Sequence, residues 1–294
     1  MKTIRTIMTT TRVDLHGDRL PLEALESMRD HIRLAYLPFI YNHDPRCPPL
    51  GRVIDAEIVT LDDGECALEA EVELFEEGPL PPLVGDRSIA SRALPADGFL
   101  LTVDRTFGLP EFEEPVASIT AMFGKPAQFE VKKALDPIAV LTIGGMFVAG
   151  KFVGAFFSRL GTDAAVALSA KLKKIFARKH DDQTRLLKFE FEFEHKGQRC
   201  RADVILSAPT ADDIDGFLAD GLQQLDMMLP SCLDQIDGLV RFVFSYSQGR
   251  VKLEFAVRRD AMPVLPLAPP KSSEGTTRKA PTAASVRLSE PRRV

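Results

Sequence analysis

The chain of 294 residues is 45% hydrophobic and 27% charged, with a formal net charge of -5. This ordinary globular composition is enough for one large or two modest domains with a real core. Residues 1–130 carry 12 Lys+Arg against 23 Asp+Glu, a net charge of -11, and residues 131–294 carry 25 against 19, a net charge of +6. The acidic N-terminal half argues against nucleic acid as a partner, because binding phosphates needs basic patches.

Cysteine usage and the first residues indicate the cellular compartment. The four cysteines (Cys47, Cys66, Cys200 and Cys232) lie far apart and form no C-x-x-C pair, so their spacing predicts neither a zinc site nor a disulfide framework. The segment MKTIRTIMTTTRVDLHGD lacks the apolar core of a signal peptide. We expect a cytoplasmic location. The basic C-terminal half makes membrane association the alternative.

Residues 1–130 predict a mostly-β domain with one short helix. TIRTIMTTTRV is rich in β-branched residues, as strands are, and LPLEALESMRDHI has apolar residues at helical spacing. GRVIDAEIVTLDDGECALEAEVELFE alternates on both sides of LDDGE, a hairpin signal, and SIASRALPADGFLLTVDRTF adds two extended runs. We therefore expect a barrel-like or sandwich-like β domain over these residues.

Residues 136–180 combine an apolar, glycine-rich run with an amphipathic stretch. Ile138–Phe157 contains a single charged residue, Lys151, and about 20 apolar residues suffice to cross a bilayer. Gly150 and Gly154 have the G-x-x-x-G spacing that lets two helices approach closely, which predicts a contact in a homo-oligomer. We predict an apolar helical segment that spans or associates with a membrane. The alternative is a buried helix of a soluble core.

Residues 185–262 predict a second domain with the order ββαββ. LLKFEFEFEHKGQRCRADVIL and GLVRFVFSYSQGRVKLEFAVRRD read as hairpins, and the helix between them is capped by Thr210. This order predicts a helix on one face of an antiparallel sheet. The alternating glutamates of the first hairpin are interpreted as a solvated face rather than metal ligands: Glu190, Glu192 and Glu194. Residues 266–294, rich in Pro, Ser, Thr and basic residues, are predicted to be a disordered tail.

The N-terminal half contains the residue types of nucleophilic acyl chemistry, which needs a Ser or Cys, a base, and usually an acid that orients the base. The bases and hydroxyls are His16, His31, His43, Ser88 and Ser91, and the acids are Asp97, Asp104, Glu111, Glu113 and Glu114. No G-x-S-x-G elbow supports an α/β-hydrolase. Residue types alone favour His43 as a turn residue and Ser88 as a cap.

The order of four segments adds context to these residues. RVDLHGDRLPLEAL, LPFIYNHDPRCPPLGRVIDAEI, DGECALEAEVEL and DRSIASRAL together closely resemble the prohead (capsid-maturation) serine proteases of tailed phages, over roughly residues 10–125. The resemblance implies His43 as general base, in a segment of the form HD…PLGRV, and Ser88 of RSIA as nucleophile. It also implies an acid near the end of the domain, in the closing strand, for which Glu114 is the candidate.

Three departures from the family pattern leave a second hypothesis open, and the first is that members of the family do not normally continue into an apolar 20-mer and a second domain. Ala90 replaces the glycine that follows SI in the family, which affects the backbone N–H offered to an oxyanion. Val116 stands where the acid is expected, with Glu114 two positions away, and a shift of one position along a strand turns a side chain to the other face.

Two functional hypotheses follow for this α+β protein. The first is a serine peptidase-like protein that cleaves a protein or peptide substrate, or itself, through Ser88, His43 and Glu114. It needs no metal or organic cofactor. The second is a catalytically inactive, membrane-associated adaptor or effector that uses the protease fold as a binding module.

Overall fold

The computed structural model describes residues 2–13, 19–76, 78–83, 85–89, 98–104, 110–123, 128–130, 138–148, 151, 154, 156, 161–177, 184–233 and 236–265. These residues form an α+β protein, rich in strands and with few helices, built from a four-stranded and an eight-stranded sheet. The α+β class predicted from the sequence is confirmed. Several finer predictions, among them the barrel and the apolar helix, are wrong.

The four-stranded sheet is antiparallel and has the order β1-β4-β3-β2. Its strands are β1 (Lys2–Thr10), β2 (Leu37–Phe39), β3 (Gly51–Thr60) and β4 (Cys66–Leu74). Helix α1 (Leu22–Leu34) buries Leu25 and Ile32 against one face of β3 and β4. The sheet is open, with β1 and β2 at its two edges, so the predicted barrel is wrong.

The eight-stranded sheet has the order β12-β11-β10-β9-β8-β7-β5-β6. Its strands are β5 (Gly98–Asp104), β6 (Gln128–Glu130), β7 (Ile138–Val148), β8 (Leu186–His195), β9 (Gln198–Ser207), β10 (Leu239–Ser247), β11 (Arg250–Arg258) and β12 (Pro263–Val264). The helices are α2 (Pro110–Phe123), α3 (Thr162–Phe176) and α4, which runs through Ala211–Gly216, the π-helical stretch Phe217–Gly221 and Leu222–Leu233.

Three strand–helix–strand units generate the parallel pairs of this sheet. Helix α2 connects β5 to β6, α3 connects β7 to β8, and α4 connects β9 to β10, and each of these strand pairs is parallel. Apolar side chains of all three helices, such as Val116, Leu168 and Leu225, share one buried cluster with Phe189 and Phe191 of the sheet. The helices therefore form a single layer on one face of the sheet, and none of these three helices packs on the other face.

The apolar run beginning at Ile138 is a strand, so the predicted apolar helix is wrong. Ile138–Val148 forms β7, between β5 and β8 in the interior of the sheet, and Val140 and Leu141 on its opposite faces are both buried. A strand covered on both faces has a nearly continuous apolar sequence, which imitates a membrane helix. Among the described residues no helix has the length and apolar character needed to cross a bilayer. Gly150 lies outside the described residues.

The predicted domain boundaries also need correction. Strand β5, helix α2 and strand β6 lie between residues 98 and 130 but belong to the eight-stranded sheet, not to the N-terminal sheet. The segment expected to be a closing protease strand is the helix α2. The order ββαββ is present, but β9 and β10 are parallel because the helix α4 crosses over between them, so the predicted antiparallel arrangement is wrong there. The predicted tail, residues 266–294, lies outside the described residues.

Local signals in the sequence are confirmed at the turns. Gly64, Gly197 and Gly249 occupy the three hairpin turns with φ of 81°, 73° and 72°, a region that glycine adopts without steric cost. At the start of α4, Thr210 Oγ1 accepts a hydrogen bond from the N–H of Asp213, whose carboxylate accepts one from the N–H of Thr210. This reciprocal capping box confirms the predicted cap.

The two sheets meet at the turn between β11 and β12. Arg52 Nη1 of β3 donates to the carbonyl of Asp260 at 3.0 Å, and the N–H of Ile89 donates to the carbonyl of Arg259 at 2.7 Å. Arg258 Nη1 donates to the carbonyl of Pro81 at 2.8 Å. Ile89 packs against an apolar cluster on the face of the eight-stranded sheet that the helices leave open. The segment after β4 therefore ties the four-stranded sheet to the larger one.

Candidate functional site

His43 lies in the loop that joins β2 to β3. Tyr41–His43 forms a single 3-10 turn, in which Asn42 and His43 have φ of 49° and 55°. Such a left-handed conformation is uncommon for residues other than glycine. The His43 side chain is exposed, and no described residue forms a hydrogen bond with its imidazole. The ring is therefore accessible, but no acid orients it among the described residues.

The neighbouring Asp44 is engaged elsewhere. Its carboxylate accepts hydrogen bonds from the backbone N–H of Arg46 at 2.9 Å and from the Arg46 guanidinium at 2.7 Å. Burial opposes ionisation of Asp44, but these hydrogen bonds outweigh it and lower its pKa. For Cys47, burial and then the negative charge of Asp44 raise the pKa of the thiol. This loop therefore does not activate Cys47 as a nucleophile.

Ser88 is held at the beginning of β2. The N–H of Tyr36 donates to the carbonyl of Ser88 at 2.9 Å, and Tyr36 and Ile89 form an isolated parallel bridge. Next to it, Arg87 Nη1 donates to the carbonyl of Ile54 at 2.8 Å, and its guanidinium lies 4.4 Å from the centroid of the Tyr36 ring. The Ser88 side chain is half-buried, and its hydroxyl has no hydrogen-bond partner among the described residues.

The three predicted catalytic residues lie on different elements of the structure. Ser88 lies beside Tyr36, whereas His43 follows the other end of β2, about 10 Å along a strand that rises ~3.3 Å per residue. Glu114 is exposed on α2, a helix of the eight-stranded sheet. Nucleophilic catalysis needs the base within about 3 Å of the hydroxyl. Among the described residues no hydrogen bond joins Ser88, His43 and Glu114 to one another, and the triad stays a prediction.

Comparisons with known proteins identify no relative of this chain. No family model matches it, and neither does any curated protein or any solved structure.

The four-stranded sheet carries a row of carboxylates on the face opposite α1. We call this row the acidic face; it consists of Asp55, Glu57, Glu69, Glu71 and Glu73. In the register of β3 and β4, Glu57 is directly opposite Glu69, and Asp55 is directly opposite Glu71. Like charges directly opposite each other on neighbouring strands destabilise a sheet. Repulsion within these two opposed pairs therefore lowers the free energy of unfolding of the protein.

Arginines neutralise the acidic face only in part. Arg5 lies 3.4 Å from Glu69, Arg33 lies 3.2 Å from Asp55, and Arg52 lies 2.6 Å from Glu73, each measured between guanidinium nitrogen and carboxylate oxygen. Neither Glu57 nor Glu71 lies within ion-pair distance of a basic group in the described part of the chain, although Arg5 of β1 is directly opposite Glu71 in the strand register. No described helix packs on this face, where Glu57 is exposed and Glu71 is half-buried.

The eight-stranded sheet carries a second charged group, on the face that its helices leave open. We call it the buried charge network; it consists of Lys188, Glu190, Arg201, Asp203 and Arg241. Glu190 and Asp203 are directly opposite each other in the register of β8 and β9. Glu190 and Asp203 are 6% and 0% exposed, so their charges depend on partners within the protein.

Three cations and a hydroxyl surround these two carboxylates. Glu190 is paired with Lys188 and accepts a hydrogen bond of 2.9 Å from Thr142. Asp203 Oδ2 lies 2.7 Å from Arg241 Nη2 and accepts a hydrogen bond of 2.8 Å from Arg241 Nε. Arg201 Nε lies 2.9 Å from Asp203 Oδ1, at ion-pair distance but outside hydrogen-bond geometry. The network therefore contains one more positive than negative charge.

The neighbouring cations lower the pKa values of both carboxylates, Glu190 and Asp203. Burial raises the pKa of Glu190, but the charges of Lys188 and Arg201 reverse the shift, and the net pKa lies below its ordinary value. Burial likewise raises the pKa of Asp203, and Arg201 and Arg241 outweigh it, so this pKa is also lowered. Both groups are therefore ionised at neutral pH.

The interpretation of Glu190 as part of a solvated strand face is wrong, because β8 is an interior strand. The pairs Lys188-x-Glu190 and Arg201-x-Asp203 were a usable signal, since each puts opposite charges on one face of its strand. The acidic face was also missed. Its signal is the alternation LEAEVEL after the hairpin signal LDDGE, since this turn puts Glu57 opposite Glu69.

Proposed function

We propose that the protein is a non-catalytic binding module whose acidic face binds a basic segment of a protein partner. This develops the second of the two functional hypotheses. The observation that carries it is the direct opposition of carboxylates on a sheet face that no described helix covers, with Glu57 and Glu71 outside ion-pair distance of any basic group among the described residues.

A basic ligand relieves the electrostatic repulsion between the opposed carboxylates of the free sheet. Each opposed like-charge pair costs on the order of 0.2–1 kcal/mol relative to neutral residues. Lysine or arginine side chains placed between the strands would turn this repulsion into attraction. A nucleic acid would add further negative charge, so the face favours a protein or peptide partner.

A fluorescence anisotropy titration tests this proposal. The probe is a labelled octapeptide that alternates Arg and Thr, with a Glu/Thr octapeptide of the same length as control. We expect the basic probe alone to bind, and its affinity to fall steeply as salt rises, because exposed charges are screened. The double variant Glu57→Gln/Glu71→Gln should lose at least half of the binding free energy.

A matched control variant distinguishes the face from general acidity. Glu23→Gln/Glu26→Gln removes the same number of charges from exposed positions of α1, a helix that packs on the other face of the sheet. Its affinity for the basic probe should equal that of the wild type. Equal losses in the two double variants would show nonspecific attraction and would refute the proposal.

A serine peptidase is the second candidate function. Two observations favour it: the left-handed backbone at Asn42 and His43, a strain that clusters at functional sites, and the free hydroxyl of Ser88 among the described residues. Peptidase activity needs the Ser88 hydroxyl within about 3 Å of the His43 imidazole. Fluorophosphonate labelling that is lost in Ser88→Ala and in His43→Ala, but kept in Ser27→Ala, would establish the peptidase. We expect no labelling of the folded wild type.

A further inference from the structure

We propose that the outer edge of β1 pairs with the same strand of a second copy of this chain, so that the basic segment bound by the acidic face is β1 of that copy. This inference rests on the proposed function, because it names the partner of the same surface. The pairing is antiparallel and isologous, since a two-fold axis brings the same strand of both copies together.

The edge strands of the two sheets differ in length and in proline content. Strands β2, β6 and β12 have three, three and two residues, and β2 and β12 contain Pro38 and Pro263. Short strands and prolines are devices that keep a sheet edge from pairing with another chain. Strand β1 has nine residues and no proline, and no described strand pairs with its outer edge. Among the described edges it is therefore the one best suited to accept a further strand.

The side chains of β1 also suit a strand pair. Its sequence, KTIRTIMTT, is rich in the β-branched residues that favour strands. Ile7 and Met8 are 51% and 37% exposed, so a strand placed beside them would remove apolar surface from water. The register of β1 with β4 shifts between Ile7 and Thr9, and a bulge of this kind disrupts the ladder locally. We therefore expect a short ladder and a weak dimer.

The charge of Arg5 selects the register of the pair. A two-fold axis at Arg5 would place the two arginines directly opposite each other, which is unfavourable. An axis at Thr6 instead places Arg5 opposite Ile7 of the second copy and Ile4 opposite its Met8. This register covers the exposed apolar side chains and keeps the arginines apart.

In this register Arg5 of the second copy approaches the acidic face. Strand β1 contains Lys2 and Arg5 but no acidic residue, so it has the charge that the face attracts. Ile7 is directly opposite Glu69, so Arg5 of the second copy lies in line with Glu69, two strand spacings or roughly 10 Å away. The long side chains of an arginine and a glutamate span this distance when they point toward each other. The chain's own Arg5, 3.4 Å from Glu69, is directly opposite Glu71 and can then pair with it.

Sedimentation velocity of the full-length protein over a concentration series tests the proposal. We expect a reversible dimer of micromolar affinity, because a single strand pair forms a small interface. Ile7→Lys should raise the dissociation constant by at least about tenfold, since it places a lysine opposite Arg5 of the second copy and removes apolar contact. The control Met28→Lys adds the same charge at an exposed position of α1 and should leave the dimer unchanged.

A cysteine at the two-fold axis tests the register. In Thr6→Cys the two introduced residues are directly opposite each other, with Cβ atoms about 4.5–5.5 Å apart, so mild oxidation should give a covalent dimer on a non-reducing gel. Thr3→Cys is the control, because Thr3 is opposite Thr9 of the second copy and not opposite itself. It should remain as monomeric as the oxidised wild type. The absence of a covalent dimer in Thr6→Cys would overturn the assigned register.

The outcomes separate this inference from the proposed function. A monomeric wild type that binds the Arg/Thr octapeptide through Glu57 and Glu71 would refute the dimer and leave the binding face intact. A monomer that binds no basic peptide would refute both, and a dimer that survives Ile7→Lys would overturn the inference. Glu69→Gln/Glu71→Gln should weaken the dimer by roughly 2- to 30-fold, the effect of two opposite-charge pairs. An unchanged dimer in this variant would refute the assigned role of Arg5.

Discussion

Both sheets of this protein contain two carboxylates directly opposite each other, but only the eight-stranded sheet surrounds its pair with cations. In each, two carboxylates lie directly opposite on neighbouring antiparallel strands: Glu57 and Glu69 in the four-stranded sheet, Glu190 and Asp203 in the eight-stranded sheet. The second pair is buried and surrounded by three cations. The first pair is accessible, and Glu57 has no basic partner in the described part of the chain.

The difference follows from solvation. A buried carboxylate loses its hydration, so the folded state is stable only if other groups of the protein replace the water. An exposed carboxylate keeps its hydration, and the repulsion that remains is small enough to be tolerated without a partner. The buried network therefore has a structural role, whereas Glu57 and Glu71 of the acidic face remain without an ion-pair partner among the described residues.

The largest predicted effect breaks the buried network. Asp203→Asn removes the negative charge between Arg201 and Arg241 and should destabilise the protein by about 3–5 kcal/mol, because buried cations are left without compensation. Urea unfolding at neutral pH measures this change. The control is Asp215→Asn, which breaks the exposed pair with Lys173 and should cost at most ~1 kcal/mol. Similar losses in the two variants would contradict a special role for the network.

Acidification should reduce the same interaction gradually. The pKa values of Glu190 and Asp203 are lower in the folded state than their ordinary values of about 4. Their stabilising contribution is therefore fully present above about pH 4 and is lost as the pH falls from there through the lowered values. The difference in unfolding free energy between wild type and Asp203→Asn should accordingly shrink between pH 4 and pH 2. A difference that stays constant over this range would refute the assigned cause.

The smallest predicted effect has the opposite sign and lies in the other sheet. Glu57→Thr removes one member of the opposed pair on the acidic face and introduces a residue that favours strands. It should stabilise the protein by about 0.2–1 kcal/mol, measured as a higher midpoint of urea unfolding. Glu26→Thr on α1 is the control and should bring no such gain, because threonine is a poor helix former. A destabilised Glu57→Thr protein would show that the carboxylate has a structural partner.

The local features of the fold could be predicted from the sequence, whereas the arrangement of the strands in the two sheets could not. The helix α1, the three hairpins and the cap at Thr210 were all predicted, because each depends on residues within a few positions of one another. The strand β7 was mistaken for a helix, since its apolar sequence is explained only by β5 and β8 on its two sides. The proposed catalytic residues came from order along the chain, and order does not determine which side chains become neighbours.

For the two like-charge pairs, the sequence determines which carboxylates are opposite each other but not which pair is buried. The turn LDDGE sets the register that puts Glu57 opposite Glu69, and HKGQ sets the register that puts Glu190 opposite Asp203, because hairpin register follows from the turn. Tertiary structure decided which pair is buried. The parallel crossover through α4 brings Arg241 beside Asp203, and β7 brings Thr142 to Glu190. Burial and neutralisation depend on strands that are distant in sequence, and this is the physical reason why the hairpins alone could not reveal them.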